Sequence, residues 1–356
     1  MATVTAYPGI YTEESTSLNF SVTASPTAVP AFLFTRSGAG NITQPFNRFD
    51  SWAEYKAINA EGHTNEIFYN VLRYWFSQGG GRCYLIDYAS YANYLDKYDD
   101  ITLVVACGRT NNLINNLSAA AGTAGQRFVL LDGPEEAINS DDLPTALADF
   151  PDSPYAAIWY PWLKTSWGTV SLPPSVAAAV AISQTDRLRG VWKSPANVIL
   201  NNVTPLYNVS DDFQGAANAI KGINVFRTFI AGNTVAWGAR TLDSSDNWRY
   251  IAVRRLFSRV ETDISRALRI VMFEPNSQPT WQRVRAVVDS YLHGLWQQGA
   301  LMGNRPEDAW FVQIGKDITM TDEDISQGKM IVKVGLAASR PAEFIILQFS
   351  QSINLL

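Results

Sequence analysis

The sequence predicts an α/β protein that turns into α+β near residue 246, and three observations carry that expectation. Between residues 91 and 240, short apolar runs alternate with helical patterns, the βαβαβα order of a parallel sheet. From residue 246 two long amphipathic helical patterns are followed by short strands. The two ends of the chain read as extended segments with no sheet beside them in sequence.

Residues 1–25 form an N-terminal extended arm. Val4 to Tyr7 is extended, Pro8-Gly9 punctuates it, Ile10-Tyr11 resumes, and Ser, Thr and Asn dominate up to Pro26, a composition that buries little apolar surface. Residues 26–90 read as an α+β part. It holds a β-type run over 28–35, helices over 52–59 and 65–77, a Gly79-Gly80-Gly81 stop and a buried strand over 83–88.

Residues 91–245 carry the parallel-sheet pattern. Strands are expected over 101–107, 127–131 and 155–162. Helices are expected over 111–121, 142–149 and 173–185, the last opened by prolines that suit a helix start. Further strands follow over 197–200, 225–229 and 234–236.

Residues 246–340 change period. Ile251, Ala252, Phe257, Val260, Ile264, Leu268 and Val271 recur every three or four positions over 248–273, and a second helix spans 281–298. Strands are expected over 310–314 and 329–334. Between them Thr321-Asp322-Glu323-Asp324 has the form of a capping box, which predicts a short acidic helix over 321–327. Residues 341–356 are a C-terminal strand arm. Ile345, Leu347, Phe349 and Ile353 face one way, and Gln348, Ser350, Ser352 and Asn354 the other.

Composition narrows function. Of 356 residues, 47% are hydrophobic and only 17% charged, against about 25% in ordinary soluble domains. So few charges cover a monomer poorly and point to a surface covered by partners. The net charge is −5, and no Lys/Arg run gives an electrostatic footprint for nucleic acid. Apolar runs such as 177–182 and 344–347 are far short of the ~20 residues of a membrane helix. Residues 1–10 lack a secretory signal pattern, so the expectation is folding in the cytosol.

Enzyme chemistry finds no support. Cys83 and Cys107 lie in apolar strands and read as buried reduced thiols. His63 and His293 have no companion at metal-ligand spacing. Asp132 ends a strand where α/β enzymes often carry an acid, yet no Gly-x-Ser-x-Gly elbow accompanies it, and a cap or turn role is expected. Gly79-Gly80-Gly81 follows a helix and Gly38-Ala39-Gly40 lacks a lysine, so neither forms a phosphate loop. Glu13-Glu14 and Glu135-Glu136 read as solvated pairs. Arg254, Arg255, Arg259, Arg266 and Arg269 lie on the long helix, where they face either an acidic partner or water. Catalytic residues, metal ligands and cofactors are therefore expected to be none.

The terminal strands need a sheet. Each can pair within its own chain or add to a neighbour's sheet, and head-to-tail exchange of that kind gives rings or filaments.

The motifs, taken together and in order, resemble those of contractile tail sheath proteins. These are proteins of phages, R-type bacteriocins and extracellular contractile injection systems, here nearest the Photorhabdus virulence cassette and antifeeding-prophage type. They are Tyr7-Pro8-Gly9-Ile10-Tyr11-Thr12-Glu13-Glu14, Phe76 to Tyr84, Tyr160-Pro161-Trp162, Arg187 to Asn197, Trp237 to Leu242, Trp248-Arg249-Tyr250, Arg254 to Phe257 and Arg340-Pro341-Ala342-Glu343-Phe344.

The resemblance implies a subtilisin-like middle domain without catalytic residues over 91–245. It implies a C-terminal α+β domain, built with part of 26–90, that docks on an inner tube and is completed by strand exchange between subunits. It further implies stacked hexameric rings, baseplate and terminal cap partners, and work in a released extracellular particle. Strand-exchange contacts are then expected at Val4, Tyr7, Ile10, Tyr11, Phe344, Ile346, Gln348, Phe349 and Ile353, and tube contacts at Asp322, Glu323 and Asp324. A cytosolic α/β hydrolase and a monomeric binding module are the alternatives.

Overall fold

The structure is a computed structural model and describes residues 21–35, 42, 44–59, 67–122, 126–229 and 232–343. The chain enters through β1 (Pro30–Phe34), β2 (Phe46–Phe49), α1 (Trp52–Ile58), α2 (Ile67–Ser77) and β3 (Cys83–Asp87). There follow α3 (Tyr91–Leu95), β4 (Leu103–Val105), α4 (Thr110–Ile114), α5 (Leu117–Ala121), β5 (Phe128–Asp132), α6 (Leu143–Ala146) and β6 (Ala156–Tyr160). Then come β7 (Leu163–Thr165), β8 (Ser171–Leu172), α7 (Pro174–Arg189), β9 (Val198–Leu200), β10 (Val203–Pro205), α8 (Asp211–Ile220), β11 (Ile223–Thr228) and β12 (Thr234–Trp237). The last part holds α9 (Ile251–Leu268), α10 (Gln278–Gln297), α11 (Pro306–Ala309), β13 (Trp310–Gln313), α12 (Asp322–Ser326) and β14 (Lys333–Leu336).

A nine-stranded sheet in the order β2-β3-β1-β4-β5-β6-β11-β12-β9 forms the centre. Strands β3, β1, β4, β5, β6 and β11 run parallel, while β2, β12 and β9 join antiparallel. The parallel strands are apolar on both faces because helices cover both. In β5, Phe128 and Leu130 turn to the layer of α1, α2 and α7, while Val129 and Leu131 turn to that of α3 to α6 and α8. Helix α7 lies against β4, β5 and β6, and its run of buried alanines lets it approach the sheet closely. Gly190 stops it at φ +95, where the Trp192 ring leaves no room for a Cβ.

The segment 26–90, expected to pack with the C-terminal domain, places β1, β2 and β3 inside this sheet. Strand β1 bonds to both β3 and β4, so 26–90 and 91–245 share one sheet instead of meeting as separate bodies. The cause is the composition of β1 and β3: each is buried along its whole length and needs cover on both faces. The helix expected over 111–121 is two helices, interrupted at Asn115-Asn116, residues whose amides compete for local backbone groups.

The C-terminal part has its own core. Val260 and Ile264 of α9 meet Val284, Val288 and Leu292 of α10, and Trp310 and Val312 of β13 close over them. Strands β13 and β14 form a two-stranded antiparallel sheet. The Phe311 ring lies over Gly335, its cross-strand partner. A further three-stranded sheet, β10-β7-β8, flanks the large one.

Candidate assembly site at the roots of the terminal arms

The carboxyl ends of β4 and β5 are where an open α/β sheet usually receives a ligand, and here that crevice is closed. Asp132 is buried, and its carboxylate accepts from the Ser175 N–H (2.7 Å) and the Gly108 N–H (2.7 Å). Ser175 is the second residue of α7, whose own cap, Pro173, offers no side-chain acceptor. Asp132 therefore caps α7 from across the sheet, in agreement with the cap role expected of it. Burial pushes its pKa up to about 6, against those same hydrogen bonds, which lower it. The Trp162 indole donates to the Gly133 carbonyl (2.9 Å) and stands over Gly108. Among the described residues no group of His, Cys, Asp and Glu is arranged to hold a metal. Cys83 and Cys107 are free and buried, and burial raises both thiols.

Polar chemistry concentrates instead on α9. Its apolar stripe carries Ile251, Leu256, Val260 and Ile264, and the same buried face holds Arg254, Arg255 and Asp263. Arg255 donates from Nη1 and Nη2 to the two carboxylate oxygens of Asp186 (2.9 and 2.6 Å), on the last turns of α7. The two side chains are 5% and 4% exposed, which makes this the buried tie between the sheet body and the C-terminal helices. The Arg254 guanidinium stacks on Trp248 (4.3 Å) and Tyr155 (5.0 Å) and pairs with Glu261.

The N-terminal segment meets the body on this helix. The Ser25 N–H donates to Asp263 (2.8 Å), and Arg266 donates to the Ser25 hydroxyl (2.7 Å). Arg255 and the Thr102 hydroxyl both donate to the Thr27 carbonyl (2.7 and 2.9 Å). Tyr291 of α10 donates to the other Asp263 oxygen (2.6 Å); burial first, and that carboxylate second, raise its phenol. The C-terminal segment is fixed at the opposite end of the helix. Arg240 donates through Nε and Nη2 to the two Glu343 oxygens (2.7 and 2.9 Å), and Tyr250, the N-cap residue of α9, donates to Glu343 as well (3.1 Å). Asn224, fully buried on β11, holds the Arg240 backbone at both its N–H and its carbonyl. Both arm roots are thus bolted to α9.

This geometry corrects one expectation: Arg254, Arg255 and Arg259 turn to Glu261, Asp186 and Asp263 of their own chain, not to an outside acid or to water. The expected exchange residues Val4, Tyr7, Ile10, Tyr11, Phe344, Ile346, Gln348, Phe349 and Ile353 lie outside the described residues, as does His63. Asp322, Glu323 and Asp324 sit together on α12. Asp324 is engaged by the capping box with Thr321, which holds its carboxyl below the usual range, and Asp322 pairs with Lys316 (2.6 Å). The sequence reading missed Asp186, Asp263 and Glu343. One signal was present: Arg255 falls between Ile251 and Leu256 in the apolar stripe, and an arginine there needs a buried acid.

Comparison with known proteins places the chain in a family. The phage tail sheath C-terminal domain family matches residues 243–352. The chain is 45% identical, TM-score 0.90, to a chain in the cryo-EM structure of an extracellular contractile injection system, the PVC sheath complex in its contracted state, covering 99% of each chain. It is 52% identical, TM-score 0.91, to a chain in the contracted baseplate of the anti-feeding prophage, covering 97% of this chain and 99% of that one. Against the contracted helical sheath of the same particle it is 40% identical, TM-score 0.81, covering 98% and 100%. No curated protein matches. Identity at this level over nearly the whole length leaves one family: the chain belongs to the phage tail sheath family, as a structural sheath protein of the extracellular contractile injection type and not an enzyme.

Proposed function

We propose that this chain polymerises as stacked hexameric rings around an inner tube and contracts to drive that tube through a target envelope. The particle is assembled in the bacterial cytoplasm, between a baseplate and a terminal cap, and works after release. One observation carries the reading. The sheet β13–β14 has two strands packed on α10, and apart from the single Leu301–Ala338 bridge its outer edges bond to no other described strand. Residues 1–20 and 344–356 leave from roots fixed at the two ends of α9. Arms from neighbouring copies that add as strands to this sheet complete it, with Val4, Tyr7, Ile10 and Tyr11 on one arm and Phe344, Ile346, Gln348, Phe349 and Ile353 on the other. Such exchange is head-to-tail and builds a helical mesh.

On firing, the sheet bodies turn as rigid units while the arms act as hinges. A few kcal/mol per subunit suffices, the usual scale of bistable packing changes. The body is a subtilisin-like frame whose ligand crevice is filled by Asp132, Ser175 and Trp162. The acidic turn of Asp322, Glu323 and Asp324 faces the tube. Deleting residues 1–20 tests the core of the proposal. Long tubes seen in negative stain for the full chain should vanish; tubes of unchanged length would overturn strand exchange.

A further inference from the structure

A groove of about 410 Å³ opens where the C-terminal arm leaves the body, between the end of α7 and residues 339–342. Two chain segments supply its cations: Arg189 and Lys193 from the first, Arg340 from the second. All three are exposed, no carboxylate lines the groove, and none of them makes an ion pair with a described residue. Ser194 also lines it, with its side chain buried. Trp192 and Pro341 add apolar surface. The groove therefore fits an extended, acidic segment that brings two negative charges beside apolar side chains.

The chain itself contains that segment. In residues 1–20 and 344–356 the only charged side chains are Glu13 and Glu14. In an extended strand successive side chains point to opposite sides, so Glu13 and Glu14 address cations contributed by both segments. Ile10 and Tyr11, just before them, match the apolar surface of Trp192 and Pro341.

We infer that this basic groove is the receptor for Glu13 and Glu14 of a second copy's N-terminal arm. The inference rests on the strand-exchange reading above and adds what sets its register. A β-strand slipped by one residue turns every side chain to the wrong face, and a pair of acids locked into three cations forbids the slip.

The experiment uses full-length protein with charges reversed on each side. Glu13→Lys/Glu14→Lys and Arg189→Glu/Lys193→Glu/Arg340→Glu should each keep the native circular dichroism and unfolding midpoint. Each alone should lose at least ten-fold in sedimentable tubes. Mixed in equal amounts they should recover tubes, because each then offers the other a complementary arm or groove. Native tube yield from either variant alone overturns the inference. Failure of the mixture, with the five-substitution chain forming tubes, places the contact within one chain and overturns the assignment to a second copy. Failure of both the mixture and the five-substitution chain also overturns it. The two proposals stay separable: if deletion of residues 1–20 abolishes tubes while both charge variants assemble, strand exchange stands and the groove assignment falls.

Discussion

Arg255 and Asp186 show how a buried charge is made tolerable. Neither side chain reaches water to a useful degree, but the bidentate geometry satisfies the carboxylate, and the Thr27 carbonyl takes a further guanidinium proton. Breaking such a pair from one side leaves an uncompensated charge, at a cost of about 3–5 kcal/mol. Arg255→Ala should therefore lower stability by that order in denaturant unfolding, and Arg255→Ala/Asp186→Ala should recover part of the loss. A loss in the double variant equal to the sum of the losses in Arg255→Ala and Asp186→Ala would mean that the pair is not coupled. The tie was half legible: the stripe of α9 reveals the arginine, but its partner lies 69 positions earlier, on a helix whose docking angle no local pattern encodes. Asp132 was legible in role for a different reason. A strand-end acid without a nucleophile elbow has few other uses, and α7 begins at prolines, leaving a cap to be supplied from elsewhere.

At the scale of elements, long periodic segments were legible and short ones were not. The stripes of α9 and α10 and the apolar runs of β1, β3, β5 and β6 follow from residue periodicity, because each buries a defined face. Strands β7, β8 and β10 are two or three residues long, too short for a period. Helix α8 has a Ser210 cap, whose hydroxyl accepts from the Phe213 N–H, but buries only Phe213 and Ala217, so its sequence looks like loop. Helix α12 was read correctly from its capping box, and the structure refines its use. Asp324 maintains the helix, while Asp322 pairs with exposed Lys316 and Glu323 accepts from Gln327, so both carboxylates stand at the surface outside the cap. Thr321→Ala should cost roughly 1 kcal/mol, the usual worth of a side-chain N-cap. Asp322→Lys/Glu323→Lys, with Asp324 kept, should reduce the fraction of inner tubes that become sheathed in co-assembly. Unchanged sheathing would remove α12 from the tube contact.

For the whole molecule, the sheet body and the C-terminal helices are distinct cores joined by charged ties and by Ile251 and Val191, each of which packs into the other core. The family was visible in the sequence because its motifs are those ties. Arg187 to Asn197 spans the end of α7 and the basic groove, while Trp237 to Leu242, Trp248 to Tyr250 and Arg254 to Phe257 supply the clamps. How residues 26–90 divide between the cores was not visible, because an apolar strand carries no label for the sheet it joins. Glu343 tests the ties at this scale. Its pair with Arg240 is partly exposed, so Glu343→Ala should change folding stability by about 1 kcal/mol or less. Tubes built from that variant should nevertheless break into shorter lengths under shear. An unchanged length distribution after shearing would show that the root bears no load.

The shared anchorage of both arms on α9 has a mechanical meaning. Tyr250 holds one root and Asp263 the other, about 20 Å apart along one helix at 1.5 Å per residue. On the proposed arm exchange, a pull that arrives through one neighbour's arm passes along this tie rod and leaves through the next, with Arg240 and Asn224 handing part of it to β11. On that proposal, the sheet strands other than β11 lie beside the line of tension, and loops at their far ends can lengthen without altering the links that carry it.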